Sequence, residues 1–315
     1  MRLTARLSSE GTELWEASLA SGQWTAEKLA AGLGWPEGPA VLDDGRVVFV
    51  ETFQGRLSSW DRNHGVHQHT DIGGGPNAAA VGSDGNIYIT QNGGIVGPWR
   101  SPRPQPPSIQ RISAAGHVDT VATKTASRTL SAPNDLAFGP DGCLYFTDPG
   151  GEYAPGSQPD PGYICVLRPD GSCEVLEETG RAYPNGIVVE PDGSIVWVES
   201  YTRAVRRLRT NSAVEDVCIL PEASVPDGLA VSYDGDLYIT ATKAKSIDII
   251  GNGGTYKGFI PLEGIPTNCA FDGDVLYVTD GGGLGLSGRV ELTGQLWAIK
   301  IANTHGMPLH RGQVG

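Results

Sequence analysis

Apolar and polar positions along the chain change over in short bursts, and stripes at helical spacing are scarce. Six apolar runs stand out: Val47-Val-Phe-Val, Ile87-Tyr-Ile-Thr, Leu144-Tyr-Phe-Thr-Asp, Ile195-Val-Trp-Val, Leu237-Tyr-Ile-Thr and Val275-Leu-Tyr-Val-Thr-Asp. Each follows an Asp-Gly pair, a pattern that predicts a hairpin turn feeding a buried strand. A proline lies eight residues before the Asp in five cases (Asp44, Asp84, Asp141, Asp192, Asp234), and the sixth, Asp272-Gly273-Asp274, is irregular. The prolines at 36, 76, 133, 184, 226 and 266 are spaced 40, 57, 51, 42 and 40 residues apart. Such a period fits four strands per unit and predicts an all-β fold, a six-bladed β-propeller.

The last unit runs out of sequence after its third strand. The segment Trp24–Leu33 precedes the first proline and has no unit of its own, so it is expected to supply the missing strand and close the ring. Part of it, Thr25–Ala31, is the best helical candidate and reads equally as a strand. The chain is expected to be one domain over residues 1–315, with a propeller core at about 24–301 and short terminal tails.

Composition narrows the function. With 44 Gly and 22 Pro in 315 residues the chain is turn-rich, and its net charge of −13 makes nucleic acid and anionic membranes poor partners. No apolar run approaches a membrane span and the N-terminus has no hydrophobic signal core, so a cytoplasmic location is expected. Five cysteines without CxxC spacing read as reduced, buried thiols, although Cys165 and Cys173 flank one hairpin turn. His64, His67 and His69 have metal-like spacing but fall on an outer hairpin, which reads as a solvated edge. There is no Gly-x-Ser-x-Gly elbow for a serine hydrolase.

The residue after each proline holds the same place at the start of an innermost strand. These six, Glu37, Asn77, Asn134, Asn185, Asp227 and Thr267, form a ring around the axis, and all are oxygen donors. Two acids near one axis repel each other and are costly to desolvate, which calls for a divalent cation. An all-oxygen set suits Ca²⁺ first, with Mg²⁺, Mn²⁺ and Zn²⁺ as alternatives.

Four motifs then carry a resemblance: Pro36-Glu37-Gly38-Pro39, Ser131-Ala-Pro-Asn134-Asp135-Leu with Tyr145-Phe-Thr-Asp148-Pro, Pro184-Asn185-Gly186 and Pro226-Asp227-Gly228. Over roughly residues 24–301 the chain resembles the SMP-30/gluconolactonase/luciferin-regenerating family of calcium-dependent propellers. The resemblance implies a hydrolase that opens a lactone, with Glu37, Asn134, Asn185 and Asp227 holding the metal and Asp227 as general base. Asn77 and Thr267 then take substrate or supporting roles. The metal would act as Lewis acid and water activator. In one departure, Ala132 stands where the animal branch of the family has an Arg. The partner is expected to be a small lactone or ester, and the protein a monomer or homodimer. A diisopropylfluorophosphatase-like phosphotriesterase shares the same donor set and is the alternative. A strictosidine-synthase-like or other pathway-specific propeller enzyme is a further one.

Loops leaving the second strand of each blade share the ring's face. Three are long: 91–108, 149–161 and 281–294. They and their shorter counterparts bring Trp99, Arg100, Arg103, Tyr153 and Tyr201 forward as candidate substrate contacts, with Arg289 on the third. Asp148 and Glu199 end second strands on the same face, where a second base or a turn role is open to each.

Overall fold

The computed structural model describes residues 4–7, 13–19, 22–151, 153, 160–283 and 291–315, the first two stretches as backbone alone. Among them there is no α-helix, and none that is long and apolar enough to cross a membrane. Six antiparallel sheets succeed one another as the blades of a propeller. Blade one is Pro36–Val41, Val47–Glu51, Arg56–Asp61 and Gly65–Asp71, paired in sequence order. Blades two to five repeat it, with innermost strands Pro76–Val81, Leu136–Phe138, Pro184–Val189 and Pro226–Val231.

The turn chemistry is as the sequence predicts. In blade one Asp44 Oδ1 accepts the Arg46 amide at 3.1 Å, while Gly45 takes φ 83°, open to glycine without strain. The same bond recurs at Asp84, Asp141 and Asp192, so these acids serve turns and no chemistry.

Blade six is Pro266–Asp272, Val275–Asp280 and Gly294–Ile301, completed by Gly22–Leu33 from the other end of the chain. Trp297 faces Lys28 and Ile301 faces Trp24 in this register. The closing segment is a strand throughout. Two further strands, Thr4–Leu7 and Glu13–Leu19, continue the sheet outward, so blade six has six strands where four were expected. They pair along the edge that Gly22–Leu33 would otherwise leave open.

Packing between blades supplies the core. Ile247 and Ile249 of blade five, for example, cluster with Leu276, Val278 and Trp297 of blade six. Innermost strands approach one another so closely that a Cβ on Gly38 would lie 2.2 Å from Ala78 Cα, and one on Gly186 2.4 Å from Asp227 O. The five cysteines are free, and the register sets Cys165 opposite Val175 and Cys173 opposite Leu167.

The C-terminal segment is more than a tail. It crosses the Asp-Gly face, with Met307 N donating to Val231 O (3.0 Å), Tyr233 N to His305 O (2.8 Å) and Ser83 N to Gly312 O (2.8 Å). Its own Met307 and Val314 are buried against the blades. It roofs an axial cavity of about 680 Å³ that reaches up to Asp135 and Asn268.

Candidate active site on the propeller axis

A ring of hydroxyl groups fixes where the innermost strands begin. Thr52 Oγ1 donates to Pro76 O (2.8 Å), Thr90 to Asn134 O (2.5 Å) and Thr147 to Asn185 O (2.7 Å). Ser200 donates to Pro226 O (2.8 Å), Thr240 to Thr267 O (2.8 Å) and Thr267 to Pro36 O (2.8 Å). One such bond crosses each of the six blade junctions, and every acceptor is the carbonyl of a ring residue or of its proline. The backbone of the ring is therefore held at each junction by a side-chain hydroxyl from the neighbouring blade.

The structure brings the expected six residues to this one level. Glu37, Asn77, Asn134, Asn185 and Thr267 are buried, and Asp227 is the most open. Burial, then the Asp227 and Asp135 carboxylates, raise Glu37 well above the usual carboxylate range; the Gly38 N–H and the Asn268 amide offset this in part. Asp227 is pushed up to about 8 by burial and then by Asp135, with the Asn185 amide pulling the other way. Asp135 is pushed up to about 6 by burial. The groups that offset these shifts are amides, and none carries positive charge.

Two of the residues in this field, Asp135 and Asn268, are absent from the sequence prediction. They follow ring residues at a position that is Gly38, Ala78, Gly186 and Gly228 in the other blades. Asp135 Oδ2 accepts the Ile187 amide at 3.1 Å and Oδ1 the Leu136 amide at 2.9 Å, which ties blade three to blade four. The signal was available: two polar residues interrupt a column of small ones.

Other candidates divide into groups. Asn77 donates to Asn134 O (3.2 Å) and accepts from Asn92 Nδ2 (3.4 Å), so both ends of its amide are engaged. The Thr267 hydroxyl is fully buried and turned to Pro36 O. Trp99 is buried against Phe53, which packs on Trp35, at centroid separations of 5.0 and 5.3 Å. Arg100 donates to Gly97 O and Trp99 O within its own loop. Arg103 pairs with Asp71 at the end of blade one's outer strand. Tyr153 and Tyr201 stack at 5.0 Å, and Asp227 is among the groups that raise the Tyr153 phenol, after burial and Tyr201. Arg289 lies outside the described residues.

The acids that end second strands are anchors. Asp148 accepts the Ser131 and Ala132 amides, each at 2.9 Å, and pairs with Arg128 at 2.6 Å. Glu51 takes the Gly34 amide (2.9 Å), and Asp280 the Ile265 amide (2.8 Å). Each fixes the loop that enters an innermost strand. Glu199 accepts from Thr202 Oγ1 (2.6 Å) and Trp197 Nε1 (3.3 Å). These bonds place Asp148 and Glu199 in the framework.

A separate group, Asp61, His64 and His67, brings three ligand-type atoms within 4.8 Å of one another on blade one's outer hairpin. Both histidines are exposed, and Asp61 Oδ1 already caps the turn through the Asn63 and His64 amides (2.8 and 2.9 Å).

On the axis, the donor set fits a hard cation. Burial raises the proton affinity of Glu37, Asp135 and Asp227, the Asp227 and Asp135 carboxylates raise Glu37 further and Asp135 raises Asp227, and the Asn185 amide bonds Asp227. A divalent ion would reverse those shifts.

Residues 35–281 match the family described as the SMP-30/Gluconolactonase/LRE-like region. A gluconolactonase of Zymomonas mobilis is 26% identical over 291 residues, covering 80% of this chain and 78% of the relative. Among solved structures, a gluconolactonase from Xanthomonas campestris superposes with a TM-score of 0.69 at 21% identity, covering 95% of this chain and 94% of that one. A calcium-binding protein, regucalcin, from Agrobacterium tumefaciens does so with a TM-score of 0.70 at 16% identity, covering 90% and 94%. At these identities the two superpositions speak for the fold.

Proposed function

The chain belongs to the SMP-30/gluconolactonase/LRE-like family, and from that premise we propose that it opens a cyclic ester by hydrolysis at the axial ring. We assign a divalent cation, Ca²⁺ first, to Glu37, Asn134, Asn185 and Asp227. When bound, the cation supplies Lewis-acid polarisation of the ester carbonyl and lowers the pKa of water.

The remaining roles belong to the chain. Asp227, the most open of the ring acids, is the group placed to accept a proton from the attacking water. Asn185 is oriented by its Nδ2 bond to Ser200 Oγ (3.0 Å), so its carbonyl oxygen is the atom left for the ion. Asp135 braces the strands that carry Asn134 and Asn185 through the Ile187 amide. Asn77 holds the Asn134 carbonyl from the neighbouring blade.

The observation that carries this reading is the convergence of three enclosed acids with no basic side chain among the groups that offset them. Lactone hydrolysis comes from the gluconolactonase relatives. The test strips the protein with chelator and adds back Ca²⁺, Mg²⁺, Mn²⁺ and Zn²⁺ separately, following proton release from a panel of lactones. Turnover restored by one ion supports both halves of the proposal. Binding of an ion with no lactone turned over keeps the site and removes the reaction; a fluorophosphate hydrolysed in its place moves the assignment to a phosphotriesterase.

A further inference from the structure

The residues before the six ring prolines are Trp35, Gly75, Ala132, Tyr183, Val225 and Ile265. Aromatic residues occupy this position in blades one and four alone, which face each other across a six-fold ring. Both are backbone outliers, Trp35 at φ 57° and Tyr183 at φ 58°. Bulky residues avoid positive φ, and a following proline narrows the choice further. Such strain persists where the surroundings over-determine it, and it clusters at ligand sites.

Both outliers belong to the same arrangement. Eighteen residues on, each meets an aromatic side chain just past the second strand of its blade. Trp35 packs on Phe53 at 5.3 Å and Tyr183 on Tyr201 at 5.5 Å. A third ring arrives from a neighbouring blade's long loop. Trp99 lies 5.0 Å from Phe53, and Tyr153 lies 5.0 Å from Tyr201 and 5.2 Å from Tyr183.

The two clusters differ in how open they are. Trp35, Phe53 and Trp99 are buried, with Val96 and Ile265 packed on them, and make a closed apolar wall. Tyr153 and Tyr201 are half-buried and stacked at an interplanar angle of 14°, and Tyr153 lies within the electrostatic reach of Asp227. Ser200, the residue before Tyr201, bonds both the Asn185 amide and Pro226 O, so the platform is joined to the ring. Two arginines on this side of the ring are committed to the framework: Arg103 to Asp71, and Arg128 to Asp148 and Ser131. A polyhydroxylated ring is recognised by many directional polar partners; a flat apolar one is recognised by aromatic faces.

Resting on the lactone reading above, we propose that the substrate carries a flat aromatic ring beside its cyclic ester, and that this ring stacks on the Tyr153–Tyr201 pair opposite the Trp35–Phe53–Trp99 wall. The Tyr153–Tyr201 pair is then the specificity determinant, and Tyr183 the positioning residue beneath it.

The test has two arms. In the first, dihydrocoumarin, δ-gluconolactone and δ-valerolactone are compared with wild-type protein, Tyr201→Ala, Tyr201→Phe and Tyr153→Ala, in the activating cation. Dihydrocoumarin is expected to give the highest kcat/KM. Either alanine variant should cut the dihydrocoumarin preference over δ-valerolactone by about tenfold through KM, and Tyr201→Phe should keep it. A preference for δ-gluconolactone, or an equal loss on all three lactones, overturns the proposal. The second arm needs no turnover: binding of the lactam analogue dihydroquinolinone is measured by titration calorimetry. Binding that Tyr201→Ala weakens about tenfold, with no lactone hydrolysed, removes the hydrolase reading and keeps the platform. No binding to wild type overturns the platform even where lactones are hydrolysed.

Discussion

Thr267 Oγ1 lies 2.8 Å from Pro36 O, so a side chain of the last blade holds the backbone of the first, one residue before Glu37. The bond closes the circle of six hydroxyl–carbonyl contacts and sets the height of Glu37, an acid raised by burial and then by Asp227 and Asp135.

Thr267→Val tests that closure. The variant keeps the shape and leaves the Pro36 carbonyl without its buried donor, which costs about 1–3 kcal/mol. Urea unfolding should show the loss. Cation affinity should fall with it, because Glu37 is no longer held in place. Unchanged stability and affinity would mean that the junction is set by strand pairing alone.

The pH dependence of the chelated protein follows from the raised acids. A carboxyl whose folded pKa exceeds its unfolded value of about 3.9 binds protons more tightly when folded. Its contribution to stability is full below that unfolded value and is lost as pH rises through the folded one. With Asp135 at about 6 and Asp227 at about 8, the window is the acid-to-neutral range. Melting temperature in chelator should therefore fall from pH 5 to pH 8, with each group contributing up to about 1.4 kcal/mol per pH unit across its window. Added Ca²⁺ should flatten the curve. Asp227→Asn should make the chelated protein more stable than chelated wild type at pH 8.

Asp148 separates an anchor from a base. Replacing it with Ala strands Arg128 and two loop amides, a loss of about 3–5 kcal/mol for a broken buried pair. Asp148→Asn keeps an acceptor and should lose less. In whatever Asp148→Asn retains of activity, the pH–rate profile should keep its wild-type shape. A missing ionisation in that profile would restore Asp148 as a base.

Removing residues 303–315 should take away the buried Met307 and Val314 and uncover the axial cavity. Two lost apolar side chains correspond to about 3–5 kcal/mol, read as a lower denaturation midpoint. Dye binding at the opened end of the cavity would report the same change. A truncated chain as stable as the full one would show that the strap is ornamental.

Repetition made most of this architecture legible. Six prolines, five of them with Asp-Gly eight residues on, locate the two innermost strands of five blades and the start of each innermost strand, because those positions answer to local turn rules. Asp135 and Asn268 stand one position beyond the repeated ring residue, and their partners, Ile187 and Glu37, lie far away in sequence, so no local rule announces them. Arg103 was expected at the mouth on the strength of its loop. Its fate depends on Asp71, which belongs to another blade and which no periodicity links to it. The strands Thr4–Leu7 and Glu13–Leu19 carry neither proline nor Asp-Gly, so nothing in the repeat announces them.

Gly22–Leu33 pairs with Gly294–Ile301, and this carries a consequence for birth as well as for shape. During synthesis Gly22–Leu33 leaves the ribosome before blades one to five, and its partner Gly294–Ile301 after them. While those five blades are made, its edge toward Gly294–Ile301 is unmatched, and the ring beside it stays an open arc. Crowding by other nascent chains is most hazardous in that interval. A permuted gene that starts at Pro36 and ends with Leu33 would place both strands at the finish, and the interval would close.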